Sequence, residues 1–288
     1  MVQALTGQLL ICLINGSFYA LLSLGLAVIF GLLNVVNFAH GAQYMLGAFV
    51  AWMGLQYLGI GYWWALLLTP LAVGLLGALF ERLFLRRLYG LDPLYGLLLT
   101  FGLALVLEGL FQNAFGISGN SYAVPPLLQG GANLGFMYLP KYRGWVVLVS
   151  LAICFGSWFV IEKTRLGAYL RAGTEKPALL QAFGVNVPLM FTLTYGFGAA
   201  LAGFAGVMAA PIYQVTPLMG SSVIMVVFAV VVIGGMGSIL GSIVTGLGLG
   251  LVEGLTKFFF APASDVVVFV VMALVLLLRP AGLFGRSQ

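Results

Sequence analysis

Long apolar runs, separated by short polar connections, make up most of the chain. A membrane helix needs about 20 apolar residues to cross a hydrocarbon core about 30 Å thick. Windows of this kind fall near residues 8–31, 41–58, 61–80, 94–116, 143–161, 188–210, 222–236, 238–258 and 265–278. Strands of membrane barrels alternate apolar and polar residues, whereas these runs are apolar on all sides. The pattern predicts an all-α integral membrane protein with eight to nine helices in a single transmembrane domain, residues 1–288. Whether the short segment 222–236 crosses or re-enters is left open.

The composition agrees with this pattern, because 62% of the 288 residues are hydrophobic and only 7% are charged. A soluble domain carries roughly 25% charged residues, so this chain has too few to cover a surface that faces water. The net charge of +5 does not indicate a nucleic-acid partner, since the basic residues are spread over several loops. Cys12 and Cys154 lie inside apolar runs and are interpreted as core residues. The N-terminus lacks the features of a signal peptide, so the first run is expected to be a retained span.

The placement of Lys and Arg predicts the orientation. With the N-terminus outside and nine crossings, the C-terminus is cytoplasmic, and nine basic residues lie inside against three outside, as the positive-inside rule requires. If the segment 222–236 re-enters the membrane instead of crossing it, eight basic residues lie inside against four outside, and the N-terminus is again predicted to lie outside. In the first case the three outside are Lys141, Arg143 and Lys257.

One polar stretch, residues 162–186, stands out against the apolar background and is predicted to be cytosolic. Pro177 suits the first turn of a helix and Gly184 suits its C-cap, so residues 175–184 are predicted to form a short helix. The composition leaves open whether this helix lies on anionic headgroups or fits a groove on a soluble partner. Three apolar residues at helical spacing are expected to form one face of it: Leu179, Leu180 and Phe183.

Two stretches are predicted to break helices at membrane depth: GLLNVVNFAHG at residues 31–41 and GGMGSILG at residues 234–241. Irregular backbone at that depth is tolerated where it is buried in protein or lines a cavity, and broken helices mark the permeation route of many transporters. The alternative is a tight, Gly-rich turn at the interface. A lone histidine such as His40 is also open to a purely structural interpretation. The candidate residues of the translocation pathway are Asn34, Asn37, His40, Gly41, Gly234, Gly235 and Gly237.

A faint internal repeat favours the transporter interpretation. An offset of 180 residues aligns four positions of the first run with four of the sixth, and the predicted topology gives those two helices opposite directions. Inverted repeats of this kind are typical of transporters. The aligned pairs are Leu13 with Leu193, Gly16 with Gly196, Ala20 with Ala200 and Leu21 with Leu201.

The sequence does not favour an enzyme or a proton-driven carrier. It contains no phosphate-binding GxxxxGK[ST] motif and no HExxH or GxSxG motif. Ion-coupled carriers bury charged residues at mid-membrane, whereas here only Glu108 and Glu253 fall within predicted spans, each near one end. The loop at residues 117–142 is rich in turn residues; we expect an irregular external segment, either a connector or part of a docking surface.

The sequence resembles the permease subunits of branched-chain amino acid ABC importers, specifically the shorter, H-type subunit. The likeness is carried by FGLLNVVNFAHGAQYMLGAF (30–49), LRAGTEKPALLQAFGVN (170–186), VVIGGMGSILGSIVTGLGLGLVE (231–253) and the tail LLRPAGLFGR (277–286). The resemblance implies a type II ABC importer permease in the bacterial cytoplasmic membrane, without an ATPase site or cofactor of its own. The implied partners are an M-type permease subunit or a second copy of this chain, two cytosolic ATPases that bind the ATP, and an external solute-binding protein.

The same resemblance implies that the segment within 162–187 couples the permease to its ATPases. At the family's motif positions stand Arg171, Glu175, Gly184 and Asn186, and the apolar residues of the helix, Leu179, Leu180 and Phe183, complete the candidate coupling set. Two departures from the family pattern concern Lys176, where relatives carry an aspartate, and Ala42–Gln43, where relatives often place an acid after AHG. The second departure leaves the solute open among branched-chain amino acids, urea, amides and aromatic acids. A self-sufficient carrier or channel is the competing class.

Overall fold

The computed structural model describes residues 2–33, 35–133, 135 and 138–285. The nine predicted apolar windows all coincide with helices, to within a few residues. The described residues form eleven α-helices: α1 (Val2–Leu33), α2 (Ala39–Leu58), α3 (Tyr62–Leu83), α4 (Pro93–Phe115), α5 (Lys141–Lys163), α6 (Arg165–Glu175), α7 (Pro177–Ala182), α8 (Val187–Ala209), α9 (Met219–Gly234), α10 (Ile239–Phe259) and α11 (Ser264–Leu278).

The connections are short, except between α4 and α5. Three single 3-10 turns lie at Leu85–Leu88, Pro126–Leu128 and Ala261–Ala263. The connection from α4 to α5 contains a small antiparallel ribbon of β1 (Gly131–Asn133) and β2 (Tyr138–Pro140). The expected irregular loop therefore has both a turn of helix and a β-ribbon.

Seven helical segments of the described chain are long and apolar enough to cross a membrane. They correspond to α1, α3, α4, α5, α8, α10 and α11. The two other predicted spans are different in kind. The 20 residues of α2 include a buried polar segment at their start, and the 16 residues of α9 rise about 24 Å, less than the hydrocarbon core.

The bundle is built around α1. In the apolar window of α1, 83% of the residues are buried, against 11% in α4 and in α11, whose side chains face outward. Ser23 of α1 donates a hydrogen bond to the Ser242 carbonyl of α10 across the central contact, at 3.3 Å. An outward face covered with leucine, valine and phenylalanine is what lipid tails solvate well, so α4 and α11 form the rim of the bundle.

The packing contains an inverted repeat, as the sequence offset suggested. α1 packs along α10 as α8 packs along α3. At these crossings Gly16 contacts Gly250, and its aligned partner Gly196 contacts Gly74. The start of α9 at Met219 follows the start of α2 at Ala39 by the same 180 positions.

The two copies of the repeat run in opposite directions. Asn15, in the first half of α1, accepts a hydrogen bond from Tyr213, which lies beyond the end of α8. Ile29, near the end of α1, contacts Gly198, which lies in the middle of α8. α1 and α8 are therefore antiparallel.

Candidate functional site

The first predicted break is present between α1 and α2. Residues 35–37 are not helical, and α2 starts deep inside the bundle. His40, in its first turn, places Nε2 2.9 Å from the Leu22 carbonyl oxygen, whereas α1 continues for another eleven residues, or about 16 Å, to Leu33. The candidate residue Asn34 lies outside the described residues.

A buried polar cluster surrounds this break. The Gln43 amide donates to the Tyr195 hydroxyl of α8 at 3.3 Å, and the Asn37, His40 and Gln43 side chains are all at least 96% buried. Within the described chain, both polar atoms of the Asn37 amide, His40 Nδ1 and Gln43 Oε1 have no hydrogen-bond partner. Unpaired polar atoms in a protein interior are costly and uncommon. The cluster joins α1, α2 and α8, and a role for Asn37 and His40 in the pathway stays a prediction.

The second predicted break is a tight turn, the alternative interpretation of that stretch. α9 ends at Gly234 and α10 begins at Ile239, and Gly235 and Gly237 between them adopt φ of 98° and 87°. A side chain at either position would be strained in this left-handed region. Ser238 then caps α10 by accepting a hydrogen bond from the Gly241 amide at 3.1 Å.

The two glycine-rich stretches nevertheless meet in space. A Cβ atom on Gly31, at the end of α1, would lie only 2.6 Å from Gly237 Cα. The C-terminal tail covers the same turn, since the Leu283 and Phe284 amides donate to the Ile233 and Gly234 carbonyls at 2.8 and 3.2 Å. Three of the predicted pathway glycines, Gly234, Gly235 and Gly237, therefore lie at a packed junction of three chain segments.

The structural counterpart of the first break is the segment 210–218, which the sequence analysis missed. It joins α8 to α9 as residues 34–38 join α1 to α2. The beginnings of α2 and α9 cross at Gly41 and Gly220, where a Cβ atom on Gly41 would lie 2.6 Å from the Gly220 carbonyl oxygen. The loop between α4 and α5 is bonded to this segment, because Asn120 and Val215 exchange two backbone hydrogen bonds of 3.0 and 2.9 Å.

The polar stretch at 162–186 forms two short helices rather than one. α6 turns back against the end of α5, where Gly167 packs so closely on the Ile161 carbonyl that no methyl group would fit. Arg171 reinforces the same contact through the Ile161 carbonyl at 3.4 Å and an ion pair with Glu162 at 3.5 Å. Glu175 is exposed at the end of α6 and makes no ion pair within the described chain.

The predicted C-cap of the second short helix is confirmed. Gly184 follows α7 with φ of 84°, and its amide donates to the Gln181 carbonyl while the Val185 amide donates to the Leu180 carbonyl. These two bonds form a Schellman motif, which needs a residue that tolerates positive φ. Asn186 then starts α8 by accepting a hydrogen bond from the Leu189 amide at 3.1 Å.

The prediction of one apolar face on α7 is wrong in one respect. Leu180 is only 8% exposed and packs towards Gly173 of α6, whereas Leu179 and Phe183 are 54% and 77% exposed. Residues 179 and 183 are one helical turn apart, while residue 180 points about 100° away from residue 179. Leu180 therefore anchors α7 to the protein, and the other two present a small apolar surface outward.

A buried carboxyl group that the sequence analysis did not single out ties the base of α8 to α3. Glu81 is fully buried and accepts hydrogen bonds from Thr192 of α8 at 2.5 Å and from Tyr89 at 2.8 Å. Burial raises the pKa of the Tyr89 phenol above its usual range, and the Glu81 carboxyl raises it further. Thr192 lies in the second turn of α8, so this contact connects the segment after α7 to the main bundle.

The two acids predicted near span ends are both hydrogen-bonded to hydroxyl groups. Glu108 of α4 accepts from Ser221 of α9 at 2.8 Å. Glu253 of α10 accepts from Tyr19 of α1 at 2.7 Å. Each pair joins two helices of the bundle.

These features define the class of the protein: a polytopic helical membrane protein with an inverted repeat, two half-buried helices that start inside the bundle, and a pair of short amphipathic helices at one end. That architecture is typical of transporters.

The chain belongs to the family described as branched-chain amino acid transport system / permease component, which matches residues 8–276. It is 32% identical to the high-affinity branched-chain amino acid transport system permease protein BraD of Pseudomonas aeruginosa, over 98% of this chain and 96% of that protein. The corresponding LivH protein of Escherichia coli K12 is 30% identical over 95% of this chain and 93% of that protein. The LivM protein of the same organism is 28% identical over 94% of this chain and 68% of its own length. No solved structure matches this chain.

Proposed function

We propose that the chain is the membrane-spanning permease subunit of an ATP-binding-cassette importer. It moves a small solute, a branched-chain or related amino acid, into the cytoplasm across the bacterial cytoplasmic membrane, using ATP hydrolysed by separate subunits. The observation that carries this proposal is α7, a short capped helix whose Leu179 and Phe183 side chains are exposed at the end of the bundle. An exposed apolar pair on a rigid helix suits a groove on a soluble partner. The names of the relatives support the amino acid as cargo.

The proposed complex contains this chain, an M-type permease subunit, two cytosolic ATPases and an external solute-binding protein. The similarity to both LivH and LivM supports two related permease subunits rather than two copies of one. The candidate coupling set falls into two groups. Arg171, Leu180, Gly184 and Asn186 shape the segment through the contacts described above, and Leu179, Phe183 and Glu175 face outward for docking.

Reconstitution tests the proposal directly. Vesicles that hold this chain with its M-type subunit, ATPases and binding protein are expected to accumulate L-leucine only when ATP is supplied. Omitting the ATPase is expected to abolish uptake, because the chain has no phosphate-binding motif of its own. Uptake by the permease subunits alone, down a solute or proton gradient, would assign the chain to the competing class of carriers and channels.

The proposed orientation places α6 and α7 in the cytoplasm. An Arg171→Cys variant in intact cells is therefore expected to resist a membrane-impermeant maleimide and to react once the cells are opened. Cys12 and Cys154 are buried and serve as an internal background. An Arg143→Cys variant, at the start of α5, is the matched control and is expected to react from outside. Labelling of residue 171 in intact cells would contradict the topology.

A further inference from the structure

A cavity of about 450 Å³ lies between α1, α9 and α10, at the end of the bundle opposite α7. Sites for small molecules usually enclose about 300–1,000 Å³. The segment 210–218 and the beginning of α9 form one wall. Its lining combines apolar side chains, mainly from α1 and α9, with polar side chains from α1, α2, α9, α10 and the segment 210–218.

The acidic end of the cavity is formed by Glu253. Its Oε2 atom accepts the hydrogen bond from Tyr19, and it makes no ion pair within the described chain. Lys257 follows one turn later on α10, but it is exposed and more than 4 Å from the carboxyl group. A carboxylate that lacks a cationic partner in an apolar setting interacts strongly with a cation that enters. Glu253 therefore provides a place for an ammonium group.

The opposite wall offers donors to an anion. α9 begins at this wall with Met219, and a helix N-terminus attracts negative charge. A second feature points to a ligand independently. Tyr44 is 96% buried and lines the cavity, and its hydroxyl has no hydrogen-bond partner in the part of the chain that the structure describes. Burial raises the pKa of Tyr213 in the same region, the charge of Arg143 opposes that rise, and Glu253 adds to it.

We propose that this cavity binds the zwitterion of an α-amino acid with an apolar side chain. The ammonium group binds Glu253, the carboxylate binds between the Tyr44 hydroxyl of α2 and the beginning of α9, and the side chain packs on three apolar residues: Phe18, Leu22 and Val223. The inference rests on the proposed function and deepens it, because it selects amino acids over urea and neutral amides, which lack an ammonium group. The cavity also lies beside the loop bonded to segment 210–218, which the proposed orientation places outside the cell.

Protection of a cysteine tests the site without relying on a binding protein. In a Ser222→Cys variant of the assembled complex, L-leucine at about twice its dissociation constant is expected to slow labelling by a methanethiosulfonate reagent about threefold, since only the free third of the sites reacts. Two probes are expected to give no protection: 4-methylpentanoate, which lacks the ammonium group, and urea. Equal protection by urea would overturn the proposal.

The matched variants are Glu253→Gln and Glu108→Gln. Both replace a carboxyl group that accepts a hydrogen bond from a hydroxyl on another helix, but Glu108 lies outside this cavity. Because a hydrogen bond to a charged group contributes about 1.5–3 kcal/mol, Glu253→Gln is expected to raise the leucine concentration that gives half-protection by about tenfold or more. Glu108→Gln is expected to leave that concentration unchanged. Unchanged protection in Glu253→Gln would overturn the proposal.

Two outcomes separate this inference from the proposed function. A wild-type complex that transports leucine with ATP, yet shows no leucine protection at residue 222, refutes the site and leaves the importer intact. A complex with protection but no ATP-driven uptake refutes the importer. If Glu253→Gln fails to assemble, Tyr44→Phe provides the second variant. It removes only the unpartnered hydroxyl and is expected to raise the leucine concentration that gives half-protection several-fold. An unchanged concentration would count against the site.

Discussion

Replacing Leu179 and Phe183 with aspartate is expected to abolish ATP-driven uptake and copurification with the ATPase, while the permease still inserts into the membrane. Both side chains are mostly exposed in the chain itself, so the change does not disturb its packing. At an interface each would be buried, and burying one such side chain contributes about 1.5–3 kcal/mol. Losing both, and placing two charges in the groove, is expected to weaken docking by at least about a hundredfold.

Leu127→Asp is the matched control for this pair. Leu127 is 74% exposed, close to the exposure of Phe183, but it lies in the loop between α4 and α5, at the other end of the bundle. The control is expected to retain both ATPase and uptake. A Leu180→Asp variant should not be used for this purpose, because Leu180 is buried against α6 and its loss would unfold the segment. If the double variant copurifies and transports normally, α7 is not the coupling element.

The helices were predictable because the bilayer imposes a simple rule on the sequence. A run that must cross lipid has to be apolar for about 20 residues, and the runs of this chain are interrupted at nearly every helix end. The caps were also readable, since Pro177 and Gly184 act through their own backbone preferences. Local chemistry of this kind does not depend on what the segment packs against.

The direction in which a side chain points was harder to predict. Helical spacing placed Leu180 on the same face as Phe183. In the structure Leu180 is buried because it packs against Gly173 of α6, whereas Phe183 is exposed. Glu81 could not be singled out either, because its partner Thr192 lies 111 residues further along the chain. Both features depend on tertiary neighbours, which a single sequence does not specify.

The glycines of the second predicted break form a different structure from that of the first break. Gly235 and Gly237 mark a tight turn with positive φ, whereas the true counterpart of the first break, residues 210–218, contains prolines and polar residues instead. The faint repeat could have located it, because adding the 180-residue offset to residues 34–38 gives 214–218. Its four aligned pairs were a weak signal, but two of the aligned positions, Gly16 and Gly196, lie at equivalent helix crossings.

The crossing of α2 and α9 is where adding a single methyl group is expected to disturb the packing of the inverted repeat most. A Gly41→Ala variant is expected to lower the thermal stability of the complex and to reduce leucine uptake strongly. Its methyl group would lie 2.6 Å from the Gly220 carbonyl oxygen, and neither backbone can move without displacing its helix. Overpacking of this kind costs about 1–3 kcal/mol, which outweighs the roughly 1 kcal/mol that alanine gains over glycine in a helix.

Gly109→Ala separates these two effects. Gly109 is a glycine of α4 with open space around its Cβ position, so its substitution keeps the gain in helix propensity and adds no clash. It is expected to leave the melting temperature and uptake unchanged or slightly raised. Gly220→Ala places a methyl group in the same gap as Gly41→Ala, so the double variant is expected to lose less stability than the sum of the single variants. Strict additivity, or a Gly41→Ala variant as stable as Gly109→Ala, would show that the helices do not meet there. In that case the contact between Gly41 and Gly220 would not fix the beginning of α9, which forms one wall of the proposed amino acid cavity.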